Sequence, residues 1–383
     1  MDNIAKLIGQ NMDSLKKSKG LTNEDIGNII GVTRVSVAKY LSGDQVIDSA
    51  RLFRLANHFN LSLQWFLNSS EESMSFMFRA DNPQDNFNED IASHLNKLMN
   101  EYIRILELAE DNKISYLPQA CRLHLKDNKL NEDDYELIRD IAEKQRKSFG
   151  LEEVYDFDIY SVLEKNNIHV ISLRLDDKKI DALSAYSEDK GAFIITNDHP
   201  DIPEERKVFS AVHELGHLIF HRDDYGRQPE ELSYSSSRRS INEKIANTFA
   251  SYFLIPRNQL RGYKKYFRGF VNNFSEVYRV KKDFGVSASA LMLALKDEGY
   301  MDQKNYGFLY KRLKEMGFGE IEPHPIMSIE KNLKLKSILR RLYLNEEITT
   351  NKVAELLSLN DKEVRLLVKA WAEEEYGDQY PEN

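Results

Sequence analysis

The chain has 383 residues, with 62 acidic and 53 basic side chains and a net charge of −9, a balance that argues against indiscriminate nucleic-acid binding by the whole molecule. Its single cysteine, Cys121, excludes a disulfide framework and any CxxC metal site, as a reducing cytoplasm would favour. No apolar run approaches the ~20 residues of a membrane span and Met1–Lys6 lacks a signal-peptide core, so two or three soluble cytoplasmic domains are expected.

Residues 21–43 read as helix, tight turn, helix. Thr22 and Thr33 can cap the two helices, and Gly31 takes the turn between them. Ile26, Ile29, Ile30, Val32, Val37 and Leu41 recur at helical spacing and would pack the pair together. Polar Thr33, Arg34, Ser36 and Lys39 remain at the start and outer side of the second helix, where a major-groove reader needs them. Flanking helical patterns at 4–15 and 49–66 complete a five-helix domain over 1–70. This span resembles the XRE (Cro/CI-like) helix-turn-helix family, which implies DNA contacts from Thr22, Asn23, Thr33, Arg34, Val35, Ser36 and Lys39. The family often carries glutamine where Asn23 stands, so a weaker contact is expected there. Within 1–70, eight basic residues face six acidic ones, a weakly basic module suited to a specific double-stranded operator bound as a homodimer. The alternative is a small helical bundle for protein docking.

Polar stretches at 69–73 and 79–86 break the pattern. Apolar residues then return at helical spacing (Ile91, Leu95, Leu98, Tyr102, Leu106), followed by a second helix over 133–148. A helical connector over 71–145 is expected, packed on its neighbours or offering a dimer surface.

Short β-branched or aromatic runs follow at 169–173, 182–186 and 192–197, which predict a small antiparallel sheet with one free edge. Next comes His213-Glu214-Leu215-Gly216-His217, an HExxH motif inside an apolar helical stretch. Histidines four apart project from nearly one helix face, so both rings can reach one zinc ion, while Glu214 lies beside the metal as a general base. His221 keeps the spacing, but eight steps accumulate about 80° of rotation and carry it off that face. Glu243 is the better third ligand. It opens a second helical pattern in which small Ala246 and Ala250 permit close approach to the first. Its alternative role is an exposed first-turn acid that satisfies helix N–H groups. The intervening residues 223–240, rich in Ser, Arg and acids, read as a loop at the mouth of the site.

From about Glu143 to Leu295 these pieces resemble the ImmA/IrrE family of zinc metallopeptidases. The resemblance rests on residues 206–212 running into HELGH, on Glu-x-x-Ala-Asn-x-Phe-Ala ending at Leu254-Ile255-Pro256, and on the strands around Ser184-Ala185-Tyr186 and 193–197. It also includes Phe284-Gly285-Val286-Ser287 with Ala290 and Leu291. It implies His213, His217 and Glu243 as ligands of zinc (manganese as the exchangeable alternative) and Glu214 as base, and leaves His221 without a role. A peptide substrate would lie extended along the sheet edge. Tyr186, Asn197 and His199 are the candidates for stabilising the oxyanion or holding the substrate.

Basic residues Lys331, Lys334, Lys336, Arg340 and Arg341 stud a C-terminal helix, and 348–371 scans again as helix-turn-helix without a glycine at the turn. Packing, partner binding and DNA contact are all open for this region. The chain is thus expected to be mostly α, in the α+β class: a DNA-binding domain (1–70), a helical connector (71–145), a zincin-like domain (146–300) and a C-terminal helical, HTH-like region (301–383). The expected function is a cytoplasmic transcriptional regulator that cleaves a protein, an XRE-type repressor in trans or its own DNA-binding domain in cis. The rival reading is a DNA-binding regulator whose peptidase fold is a non-catalytic sensor or an antitoxin-like docking module.

Overall fold

The computed structural model of the chain describes residues 2–59, 63, 66, 77–80, 89–111, 119–123, 125, 129–153, 157–187, 190–222, 225, 236–267, 274–317 and 321–376. Two units emerge, Met1–Ser75 and Phe76–Asn383.

In the first unit, α1 (Asp2–Ser18), α2 (Asn23–Ile30), α3 (Arg34–Ser42) and α4 (Ser49–His58) follow the local capping signals. Thr22 accepts the Asp25 N–H while Asp25 accepts the Thr22 N–H, a reciprocal capping box that starts α2. Thr33 accepts the Ser36 N–H and starts α3. Between the two helices Gly31 has φ +73°, a left-handed turn that a side chain would strain. Ile8, Met12, Leu15, Ile26, Ile30, Val37, Leu52, Leu55 and Phe66 form its core. Apart from Leu63 and Phe66, the expected fifth helix lies outside the described residues.

The second unit contains β1 (Met77–Ala80), α5 (Glu89–Leu108), α6 (Glu132–Ser148), α7 (Ile159–Lys165), β2 (His169–Leu173), β3 (Ala182–Ser187) and β4 (Gly191–Asn197). It continues with α8 (Glu204–Phe220), α9 (Ser236–Leu254), α10 (Arg257–Leu260), α11 (Ser275–Phe284), α12 (Ala288–Asp297) and α13 (Gln303–Glu315). Last come α14 (Leu333–Leu344), α15 (Thr350–Leu357) and α16 (Asp361–Tyr376).

The sheet order is β1-β3-β4-β2, with β2 parallel to β4 and the other pairs antiparallel. The expected antiparallel sheet is therefore mixed. The β3–β4 hairpin is local, but β2 reaches the far side of β4 through residues 174–181. Asn197 holds that crossing. Its Oδ1 accepts the N–H groups of Leu175 and His199, and its Nδ2 donates to the carbonyls of Asp177 and Ile180. The expected free edge is also taken, because β1 pairs along β3. At the opposite edge, the Asn332 side chain exchanges two hydrogen bonds with the Ser172 backbone.

Helices cover both faces, which is why the three longer strands are buried on nearly every residue. Val170, Ala192 and Ile194 pack with Ala211, Leu215 and Leu218 of α8 in one core. Ile171, Leu183, Ala185, Phe193 and Ile195 pack with Leu95 and Tyr102 of α5 and with Leu339, Val353, Leu356 and Trp371 in the other. The C-terminal helices thus spend their apolar faces on the back of the sheet. Their turn places Ser358 at φ +52°, in the conformation that the missing glycine would otherwise take. Two buried ion pairs fasten the start of α8. Lys281 bonds Glu205 at 2.6 Å and Glu322 at 3.0 Å, and Lys331 bonds Glu204.

Glu164 on α7 is buried, with Oε2 accepting the Lys334 N–H, and burial raises its carboxyl to about 7. Between its ordinary 4.5 and about 7, the folded chain keeps a proton that the unfolded chain has lost, so stability falls as pH rises through that window. Neighbouring His169 lies against the rings of Tyr102 and Phe193, and burial lowers it to about 3. Its contribution has the opposite sense, present above 6.5 and lost as pH falls towards 3. Glu164→Gln keeps an acceptor and removes the first effect alone. Denaturant unfolding at about pH 5 and about pH 7.5 should show the parent losing ~2–3 kcal/mol more than the variant across that interval. Parallel curves would refute the role given to Glu164.

Candidate functional site

Gly216 sets the geometry of the site. A Cβ there would stand 3.1 Å from Phe249 Cδ1 and 3.2 Å from Ala246 Cα, so a side chain would push α9 back by a few tenths of an ångström, and glycine lets it sit this close to α8. That approach carries Glu243, one turn before Ala246, up to the two histidines of α8. His213 Nε2 lies 3.2 Å from Glu243 Oε2, His217 Nε2 lies 3.6 Å from Glu243 Oε1, and the two Nε2 atoms are 2.9 Å apart. Three donors at 2.0–2.2 Å from one tetrahedral ion would stand about 3.4 Å from each other, so this donor set fits zinc.

The imidazole tautomers are braced for the same arrangement. His213 Nδ1 is 3.0 Å from Asn247 Oδ1, an acceptor, so the ring donates from Nδ1 and turns Nε2 towards His217 and Glu243, where a metal would sit. His217 Nδ1 is 2.9 Å from His221 Nδ1, which places His221 behind the motif as a support for His217. His221 closes α8, where its backbone N–H bonds the His217 carbonyl. Burial works to raise the Glu243 carboxyl, but hydrogen bonds from His213 and His217 outweigh it and hold the group well below the ordinary carboxylate range. Glu243 does not open its helix as the sequence pattern implies. α9 begins at Ser236, about two turns earlier, so the first-turn-acid alternative falls away and the expected loop over 223–240 ends sooner. Of that loop, Tyr225 and the residues from Ser236 are described.

Glu214 is fully buried. Ser184 of β3 donates to its Oε2, and the Tyr225 hydroxyl bonds Ser184 in turn. Neither hydroxyl is a candidate from sequence: Ser184 stands inside a strand pattern, and Tyr225 in a polar loop with no motif of its own. The three expected oxyanion candidates are not brought together. Tyr186 packs its ring edge-on to Tyr225, with the Arg222 guanidinium 5.5 Å from its centroid. Asn197 is consumed as the loop clamp described above, and His199 Nδ1 accepts the Asp201 N–H at 3.2 Å.

In the first unit, Arg34, Val35 and Lys39 are exposed on α3, Val35 to 59%. An apolar side chain so exposed beside a cation suits the mixture of phosphate, base-edge and thymine-methyl contacts found in a major groove. Thr22 and Thr33 use their hydroxyls as caps, Ser36 supplies the N–H that Thr33 accepts, and Asn23 Oδ1 accepts Lys16 Nζ at 2.9 Å. Asn23 is thus already engaged within the unit.

Among the described residues, no helix is long and apolar enough to cross a membrane. Residues 14–66 match the family model for a helix-turn-helix, a span that holds α2, α3 and α4. Residues 163–296 match the peptidase family model described as an IrrE N-terminal-like domain, a span that holds β2 through most of α12 and every residue of the metal-ligand candidate set. No curated protein matches the chain. The polypeptide joins an XRE-type helix-turn-helix to an IrrE/ImmA-like peptidase domain.

Proposed function

We propose that the chain is a DNA-binding transcriptional regulator whose IrrE/ImmA-like domain is a zinc-dependent endopeptidase acting on a DNA-binding repressor protein. Residues 1–70 read an operator, 146–300 carry the chemistry, and 71–145 with 301–383 frame it. The observation that carries the peptidase reading is the convergence of His213, His217 and Glu243 donor atoms, all within 4.8 Å of one another, beside buried Glu214.

His213, His217 and Glu243 hold the metal, with manganese as the exchangeable alternative to zinc. The chemistry a bound zinc ion supplies is Lewis acidity towards the scissile carbonyl and the attacking water. Glu214 takes the proton of that water and delivers it to the leaving amine. Its buried setting keeps bulk water from competing for the carboxylate, and Ser184 fixes which oxygen is presented by bonding the other. Tyr225 fixes the Ser184 rotamer. Asn247 and His221 orient the ligand rings, so the site needs little rearrangement to work.

Cells carrying the parent chain, Glu214→Gln or Arg34→Ala separate the two activities. Sequencing of new protein N-termini should find one cleaved repressor with the parent and none with Glu214→Gln, accompanied by loss of derepression. Arg34→Ala should leave cleavage intact and weaken operator footprinting by about 1–3 kcal/mol of discrimination. Derepression that persists with Glu214→Gln, without any cleaved species, would refute the peptidase assignment and leave a sensor or docking module.

A further inference from the structure

The strand β1 occupies a position with consequences for access to the site. β3 pairs with β4 on one side and with Met77–Ala80 on the other, in the register Met77↔Tyr186, Phe78↔Ala185, Arg79↔Ser184 and Ala80↔Leu183. Ser184 is the β3 residue whose hydroxyl bonds Glu214. β1 therefore runs antiparallel along the strand that carries the partner of the base, with Arg79 opposite that partner. An extended peptide entering beside Glu214 would pair with the same β3 edge, since an exposed strand edge is where peptides add to a sheet.

Two features make β1 a removable neighbour. Its four residues are fewer than the usual five or six of a strand, and it is an edge strand paired on one side alone.

We propose that Met77–Ala80 is the cis occupant of the peptide-binding edge of β3, and that a protein substrate reaches the site by displacing it. This rests on the peptidase reading.

Three full-length proteins test this in a Cys121→Ser background. The first is otherwise unchanged. The second carries Phe78→Pro and Arg79→Pro, which removes the ladder donor at whichever of two successive residues faces β3. The third carries Phe78→Cys and Ala185→Cys, directly opposed residues whose Cα atoms in such a pair lie about 4.5–5.5 Å apart, within reach of a disulfide. The disulfide should form in high yield, with or without added zinc. Binding of a capped tetra-alanine hydroxamate to the zinc-loaded proteins is then measured by calorimetry. The proline protein should bind at least tenfold tighter than the first, the oxidised cysteine protein at least tenfold weaker, and reduction with a phosphine should restore the first protein's affinity. Equal affinity in all three, or binding by none, would overturn the proposal. So would a cut between residues 76 and 81 of the unchanged chain, since β1 would then be a substrate. The expected binding series in a protein that cleaves nothing in cells would leave the strand assignment standing and remove the peptidase reading.

Discussion

Stripped of metal and titrated with zinc, the chain should take up about one ion, and His213→Ala or His217→Ala should abolish that uptake. Each imidazole supplies one of three protein donors, and two donors do not hold a tetrahedral ion against chelating buffers. Glu243→Gln should weaken uptake severely, because it removes the charge that the two histidines face at 3.2 and 3.6 Å. Glu214→Gln should leave uptake within about twofold, since its carboxylate bonds Ser184 and stands outside the candidate ligand cluster. The supports fall between these extremes. Asn247→Ala and His221→Ala each remove an acceptor from a ligand imidazole, and a loss of about 10–100-fold in affinity is expected. Elemental analysis after gel filtration checks the parent and all six variants. Full metal in either histidine-to-alanine variant at 213 or 217 would mean that the ligand assignment is wrong. His221→Ala behaving like His217→Ala would mean that His221 binds the metal directly.

The part of this centre that could be read from the chain is the part encoded locally. Histidines four apart on an apolar helix, and an acid one turn before a small residue, are periodic signals, and the structure places His213, His217 and Glu243 in one cluster. What escaped depends on meetings between distant segments. α9 extends back to Ser236 through residues rich in serine and arginine, whose modest local propensity does not mark a helix start. The β2–β4 parallel pairing follows from a buried asparagine that clamps an irregular loop, and no period reveals it. Ser184 reaches Glu214, and Tyr225 reaches Ser184, only because β3 lies beside α8 and Tyr225, after α8, comes back to that strand. β1 falls partly on a stretch whose polar composition reads as a break, since four residues paired along an edge leave too short a pattern to see.

Kinetics on the cleaved target, once identified, should order the residues around the base. Glu214→Gln removes proton transfer and is expected to lower kcat by about 10²–10⁴-fold, with metal retained and KM little changed. Ser184→Ala removes one hydrogen bond to the carboxylate, worth ~1–1.5 kcal/mol, so about a tenfold loss in kcat is expected. Tyr225→Phe acts one bond further away and should cost less than Ser184→Ala. In the double variant the two losses should be less than additive, because both substitutions disturb the same chain of hydrogen bonds ending at Glu214. A Tyr225→Phe loss exceeding that of Ser184→Ala, and additive with it, would contradict this order. Tyr225 would then act on the substrate's developing oxyanion directly, the role that the sequence pattern assigns to Tyr186, Asn197 or His199. Asn197→Ala should separate from all of these. Its four hydrogen bonds hold residues 175–199 in place, so it should lower the melting temperature first, and kcat only to the extent that β4 and α8 are disturbed.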